Sequence, residues 1–288
     1  MYTRLRFYTL LPVAVVFLLT QSSCNFFHPS GPVPAYIQIT GVSVSSASGG
    51  GSSSSKITNA WVYANDQDLG VYPVPHSFPV ISSGPTSLVI NAGIEDNGIS
   101  ATRNIYPFYF PDTLTLNLEG GKVYSMAPVF RYRTNAIFAY LEDFEMSNIF
   151  TKRSGDTTLV VDHDPADVFE GLSCGEITLD AQHPSSEVET IAPVAISTAA
   201  SNNVYLELNY QCDQPFQVGL LARNGTAYIS DYSWNINTKG SWNKIYLNMS
   251  GDVNTLNGDD YRVLIRAAYD GVHPVSHILI DNVKLIHF

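Results

Sequence analysis

Between Val204 and Tyr210 the chain alternates strictly, with Val204, Leu206, Leu208 and Tyr210 set against Tyr205, Glu207 and Asn209. A period of two puts every second side chain of an extended chain on one face, so this segment is a strand with one buried side. Strand-like runs recur at Phe216 to Ala222, Thr226 to Trp234, Trp242 to Met249, Tyr261 to Ala268 and His277 to Ile286, and Asn224-Gly225, Lys239-Gly240 and Gly258-Asp259 punctuate them. Short strands at turn-spaced intervals bury their apolar faces by stacking two sheets. Residues 159–288 are therefore expected to form a β-sandwich.

The first half carries the same signal with heavier punctuation. Ile37, Ile39, Val42 and Val44 open it, and residues 45–55, nearly all Ser and Gly, follow as an expected flexible loop with too little apolar surface to order itself. Ala60 to Tyr63, Leu69 to Tyr72, Phe78 to Ile81 and Ser87 to Ile90 then read as strands separated by Asn65 to Asp68, by Pro73 and Pro75, and by Ser82 to Pro85. Thr113 to Leu118 alternates like a half-buried strand, and Val123 to Leu141 adds two more strand-like runs. Pro107 interrupts Tyr106 to Phe110, which suggests either core or an exposed edge able to dock a protein partner. The pattern lapses around Lys152 to Thr157. The expected organisation is thus all-β, with one sandwich over 35–151, a linker at 152–158 and a second sandwich over 159–288.

The N-terminus has a different character. Arg4 and Arg6 precede a run from Phe7 to Leu19 that is apolar apart from Tyr8, Thr9 and Pro12, and Ser22-Ser23 leads into Cys24. The run is shorter than the roughly 20 residues a membrane-spanning helix needs, and it has the layout of an export signal over 1–23. Pro29, Gly31, Pro32 and Pro34 make 24–34 an expected tether.

Charge narrows the partners. The chain has 15 Lys and Arg against 26 Asp and Glu, a net charge of −11, and loss of Arg4 and Arg6 with the signal makes the body more acidic still. Nucleic acid and anionic lipid both need clustered cations, and Lys152-Arg153 is the sole adjacent basic pair. With Cys24 set aside, Cys174 and Cys212 remain, either as a disulfide in an oxidising compartment or as two separately buried thiols.

Three resemblances sharpen the picture. Small residues just before Cys24 resemble the lipobox of bacterial lipoproteins, with Gln21 where an aliphatic residue is usual. The resemblance implies diacylation of Cys24, cleavage before it and, with Asn25 next, an outer-membrane address in an undetermined leaflet. The strand, polar turn, Leu69-Gly70, proline-marked bend and return strand Ser87 to Ile90 resemble the PEGA module, a small β-sandwich of bacterial surface proteins. The closing stretch Ile278 to Leu285 resembles the last strand of galactose-binding-like jelly rolls, the fold of many carbohydrate-binding modules. That likeness implies a structural calcium held by Asp281 with Glu170 or Glu176, and calcium wants about six to eight oxygens. No other cofactor is called for.

For function the aromatics matter most. Tyr228, Tyr232 and Trp234 share a parity, and on one uninterrupted strand they would face the same way; Trp242 and Tyr246 repeat this on the next. With Arg262 and Arg266 nearby they would either stack against sugar rings on a concave face or fill the core. Gly171-Leu172-Ser173-Cys174-Gly175 matches a nucleophile elbow in spacing, with Asp281 and His287 later in the chain, but Glu176 to Leu179 continues as a strand where the elbow requires a helix. Asp162-His163-Asp164 and His273 to His277 read as surface turns rather than metal ligands. The expected function is non-enzymatic: a binding or scaffolding lipoprotein of the outer membrane, with glycan capture as its sharper form. The alternatives are an accessory subunit of an envelope protein complex and, remotely, a serine hydrolase.

Overall fold

A computed structural model describes residues 31–45, 50–198 and 202–288. Cys24 and the signal-like segment lie outside these residues. Among the described residues the fold is all-β apart from one short helix, and no helix is long and apolar enough to cross a membrane.

The first unit comprises β1 (Ala35–Ile39), β2 (Ser43–Ser45), β3 (Asn59–Ala64), β4 (Gln67–Pro73), β5 (His76–Val80), β6 (Gly84–Glu95), β7 (Arg103–Ile105), β8 (Tyr109–Phe110), β9 (Asp112–Leu118), β10 (Val123–Met126) and β11 (Val129–Tyr132). One sheet has the order β4-β3-β6-β7, with β9 also on β6, and it faces the small sheets β10-β1-β5 and β2-β11-β8. Ile37, Ile39, Val62, Phe78, Leu88, Ile90 and Phe130 fill the space between.

The second unit comprises β12 (Ile137–Glu142), β13 (Phe150–Gly155), β14 (Val160–Asp162), β15 (Cys174–Asp180), β16 (Ser185–Thr190), β17 (Val204–Cys212), β18 (Phe216–Asn224), β19 (Ala227–Ile236), β20 (Lys239–Asn248), α1 (Ser250–Leu256), β21 (Asp260–Ala268) and β22 (Val275–His287). A back sheet runs β14-β15-β22-β17-β20, with β12 also on β22, and a front sheet runs β13-β16-β21-β18-β19. Their inner faces meet through Ile177, Leu206, Leu208, Ile278 and Ile280 on one side and Val188, Val218, Leu220, Val263 and Ile265 on the other. Val253 and Leu256 of α1 close one end of this core, and the helix stops where Asn257 turns left-handed.

The strand at 150–155 moves the expected boundary. β12 pairs with β22 and β13 pairs with β16, from Phe150↔Thr190 to Gly155↔Ser186, so residues 152–155 are sheet rather than linker. Only Phe150 of β13 is buried, and a bulge between Lys152 and Ser154 breaks the alternation. An edge strand of that kind carries almost no period-two signal.

The two units share a seam on the outer face of the back sheet. Tyr205, Tyr246 and Ile286 project from that face into the core of the first unit. Buried Glu207 accepts hydrogen bonds from Tyr106 at 2.6 Å and Tyr132 at 2.9 Å and pairs with Lys244 at 2.7 Å. Tyr106 and Phe108 are fully buried here, so Tyr106 to Phe110 is seam core and not a docking edge, Phe110 alone remaining exposed. The Ser/Gly segment is also enlisted: Lys284 donates to the Ser52 carbonyl, Asn209 to Ser54 Oγ at 3.0 Å, and Lys56 N–H to the Tyr246 hydroxyl at 3.0 Å. Small side chains let this backbone come close enough to satisfy a buried lysine, so residues 50–55 lie against the seam where a loose loop is expected, while 46–49 of that expected loop lie outside the described residues. With one face of the jelly roll covered, the outer face of the front sheet is left open.

Candidate functional site

Strand alternation decides what that open face presents. In β16 the buried residues are Ser186, Val188 and Thr190, which turns Ser185, Glu187 and Glu189 outward. Pairing aligns Ser154 with Glu187, Glu187 with Arg266, Arg266 with Gln217, and Gln217 with Asn235. The result is a polar row, one residue from each of the five strands. It is bonded along much of its length: Ser154 Oγ donates to Glu187, Arg266 Nε to Gln217 Oε1 at 2.6 Å, and Gln217 Nε2 to Asn235 Oδ1 at 2.6 Å. The next outward pair, Ser185 and Ala268, is small, so the surface drops into an open trough of about 540 Å³ beside the row.

A second tier supports the row. Arg153 reaches Glu187 at 3.2 Å and Glu189 at 2.7 Å, and the Tyr232 hydroxyl donates to Glu187. The Arg266 guanidinium lies 3.7 Å above the Tyr232 ring, a cation–π contact that fixes its plane. Burial alone would raise the Glu187 carboxyl, but hydrogen bonds from Ser154 and Tyr232 and the charges of Arg153 and Arg266 outweigh it and hold Glu187 below the usual carboxylate range. Burial, then the bond to Glu187, push the Tyr232 phenol upward, so it remains a donor.

Tyr232 reaches this position through a β-bulge. Val218 pairs with Trp234 but Leu220 pairs with Asp231, so β19 holds one extra residue opposite Gly219. The bulge reverses parity: Tyr232 points outward, whereas Trp234 turns to the core and donates its Nε1 to Asp252 of α1 at 3.1 Å. A Cβ on Gly219 would sit 1.9 Å from the Asp231 carbonyl oxygen, so the extra residue requires glycine opposite it. The expected three-aromatic stripe is therefore not formed.

The remaining sequence candidates divide. Arg262 shares the outward face of β21, and exposed Tyr228 sits near the tip of the β18–β19 hairpin opposite Arg223. Trp242 and Tyr246 belong to the back sheet, because β20 crosses to the other layer. There Trp242 packs on Phe169 with ring centroids 5.3 Å apart, and Tyr246 is buried in the seam. Neither can share a ligand with Tyr232.

Cys174 and Cys212 are free and buried, and burial pushes their thiols up to about 12 and about 11. β15 and β17 flank β22 on opposite sides, with Ile177 and Cys212 both opposite Ile278. Two strand spacings of about 4.8 Å already separate them by about 10 Å, beyond disulfide reach. Ser173 lies 2.8 Å from His163 Nδ1, not near His287, whose ring nitrogen contacts the Phe288 carbonyl. Ser173 is itself buried, and its segment runs into β15, so the strained strand-to-helix turn of a hydrolase elbow is absent.

The calcium set is likewise not assembled. Asp281 accepts from the backbone N–H groups of Asn282 at 2.7 Å and Glu170 at 3.3 Å, and the Glu170 carboxylate takes Asn282 Nδ2 at 3.2 Å and the Ser52 hydroxyl. Glu176 instead lies 2.6 Å from His277 Nδ1. Among the described residues no group of three or more His, Cys, Asp or Glu side chains is arranged to hold a metal. The oxygens in question are engaged by donors of the protein itself.

Ser154, Glu187, Gln217 and Asn235 are site residues that the sequence does not single out. The alternation Ser185 to Thr190 contains the signal for Glu187; the row itself depends on register between strands far apart in the chain.

No protein-family model and no curated protein matches the chain. Similar solved structures include the family 30 carbohydrate-binding module of the cellulosomal cellulase Cel9D-Cel44B of Clostridium thermocellum, at 13% identity over 47% of this chain and 88% of that one, TM-score 0.35. They also include the family 11 carbohydrate-binding module from Clostridium thermocellum in complex with a β-1,3-1,4-mixed-linked tetrasaccharide, at 11% identity over 50% and 92%, TM-score 0.36. A third is TmCBM61 in complex with β-1,4-galactotriose, at 12% identity over 50% and 92%, TM-score 0.33.

Proposed function

We propose that this protein is a non-enzymatic glycan-binding module whose ligand lies in the trough of the front sheet, across its strands. The observation that carries this reading is the five-strand polar row Ser154, Glu187, Arg266, Gln217 and Asn235 beside a floor of small residues. A sugar chain presents successive hydroxyls, each both donor and acceptor, and a row of hydroxyl, carboxylate, guanidinium and amide groups offers matching partners without one deep pocket. A peptide would instead seek a free strand edge or apolar pockets, and the row lies on a sheet face.

The test is a glycan array followed by titration of any ligand found. Arg266→Ala and Gln217→Ala each weaken binding by about tenfold or more, the effect of losing one or two good hydrogen bonds, one of them charge-assisted. His277→Ala, on the back sheet, leaves it unchanged. Full binding by both front-sheet variants would exclude the trough.

The same proposal holds the module at the outer membrane through Cys24. Its support is the basic start, the apolar run Phe7 to Leu19 and the small residues before the cysteine. Two acyl chains would anchor it stably. Radiolabelled palmitate should be incorporated by the full chain and not by Cys24→Ser; equal labelling of the two would contradict the anchor.

A further inference from the structure

The charges of the front face are unevenly matched. Arg153 is paired with Glu187 and Glu189, and Arg223 with Asp259 and Asp260. Glu187 is saturated by Ser154, Tyr232 and Arg153. Arg266 is different. Its Nε is bonded to a neutral amide, its plane rests on a neutral ring, and among the described residues no carboxylate forms an ion pair with it. No hydrogen bond from its Nη1 or Nη2 is made to any described residue, and the side chain is exposed at the rim of the trough. Arg262, four residues along the same strand face, also lacks a carboxylate partner among the described residues, and its Nε is buried without an acceptor.

An oriented guanidinium with its outer edge unengaged is a fork for an oxyanion, because two parallel N–H donors match the two oxygens of a carboxylate or a pair of oxygens of a sulfate. A neutral sugar would use this edge only as an ordinary donor. In a chain of net charge −11, two guanidinium groups on this face that form no ion pair among the described residues, Arg266 lying beside the already saturated Glu187, are also a local feature able to draw in an anionic ligand against the general repulsion.

Resting on the glycan-binding reading, we propose that the ligand is an acidic glycan whose anionic group is received by the Nη1–Nη2 edge of Arg266. The shared chemistry is a planar or tetrahedral oxyanion on the sugar, supplied by a uronic acid or by a sulfate ester.

The experiment uses the purified full chain on an array of matched pairs: galacturonan oligomers with free or methyl-esterified carboxyls, and sulfated galactan oligomers with their desulfated forms. Affinities are then measured at low and high salt for the wild type, Arg266→Gln and Arg266→Lys. The expected result is binding to the free-acid or sulfated member about tenfold or more above its neutral partner, weakening as salt rises. Arg266→Gln should bring the affinity for the acidic member down to that of its neutral partner in the same variant, abolishing the preference, and Arg266→Lys should retain part of it. Whichever acidic member binds identifies the oxyanion. Equal binding of both members of each pair, unaltered by Arg266→Gln, would overturn the acidic-ligand inference and leave the glycan-binding reading standing. Absence of binding across the array by a folded protein would overturn both.

Discussion

Burial acts upward on two carboxylates in the second unit, and their neighbours send the net shifts in opposite directions. Burial raises the Asp281 carboxyl to about 7, and the N–H groups of Asn282 and Glu170 offset this only in part. Between the ordinary carboxylate range and about pH 7 the folded chain therefore holds a proton that the unfolded chain has lost, so stability falls as pH rises through this window. The full effect is at most about 4 kcal/mol, three pH units at about 1.4 kcal/mol each. Asp281→Asn keeps the neutral form, and its urea midpoint should fall less than that of the wild type between about pH 4.5 and pH 8; equal falls would contradict the assignment. Glu187 is held below its usual range, so its contribution is present above that range and lost as pH drops through the folded value. At this scale the sequence picked out Tyr232 and Arg266 because aromatic and guanidinium groups on a strand are visible one residue at a time. Glu187 and Gln217 were not visible as site residues, because their roles come from partners on other strands.

Strand elements were legible wherever one face is buried and the other is not, as in β16 and β17. They were illegible where an irregularity reverses parity. The bulge opposite Gly219 decides that Tyr232 belongs to the site and Trp234 to the core, and nothing in the local pattern Asp231 to Asn235 distinguishes the two. Gly219→Ala places a methyl group against backbone, which cannot move aside as a side-chain tip can. The expected cost is about 1–3 kcal/mol, the range for overpacking, read as a lowered denaturation midpoint. It should be accompanied by loss of glycan binding, since Tyr232 and with it the plane of Arg266 would shift. A stable variant that binds normally would show that the bulge does not position the site. β13 is the second case: its exposed, bulged sequence concealed a strand that supplies Ser154 to the row.

As a whole molecule, the chain is an all-β body of two sandwiches, and the class followed from the strand rhythm alone. The seam did not, because it is made from residues that a sequence assigns to separate cores. Glu207, Tyr106, Tyr132 and Lys244 join units whose members lie up to 138 positions apart, counted from Tyr106 to Lys244. Glu207→Ala leaves Lys244 buried without its partner and should cost on the order of 3–5 kcal/mol. Calorimetry of the wild type should show one cooperative transition, with two separated ones contradicting a shared seam. By covering the back sheet, the first unit leaves the front sheet as the open face of the jelly roll, and the central claim is that a glycan occupies the trough there. Hydrogen exchange of the backbone with and without a bound oligosaccharide tests this most directly. Protection is predicted in β13, β16, β21, β18 and β19 around Ser154, Glu187, Arg266, Gln217 and Asn235. Protection confined to the back sheet or to the seam would contradict it.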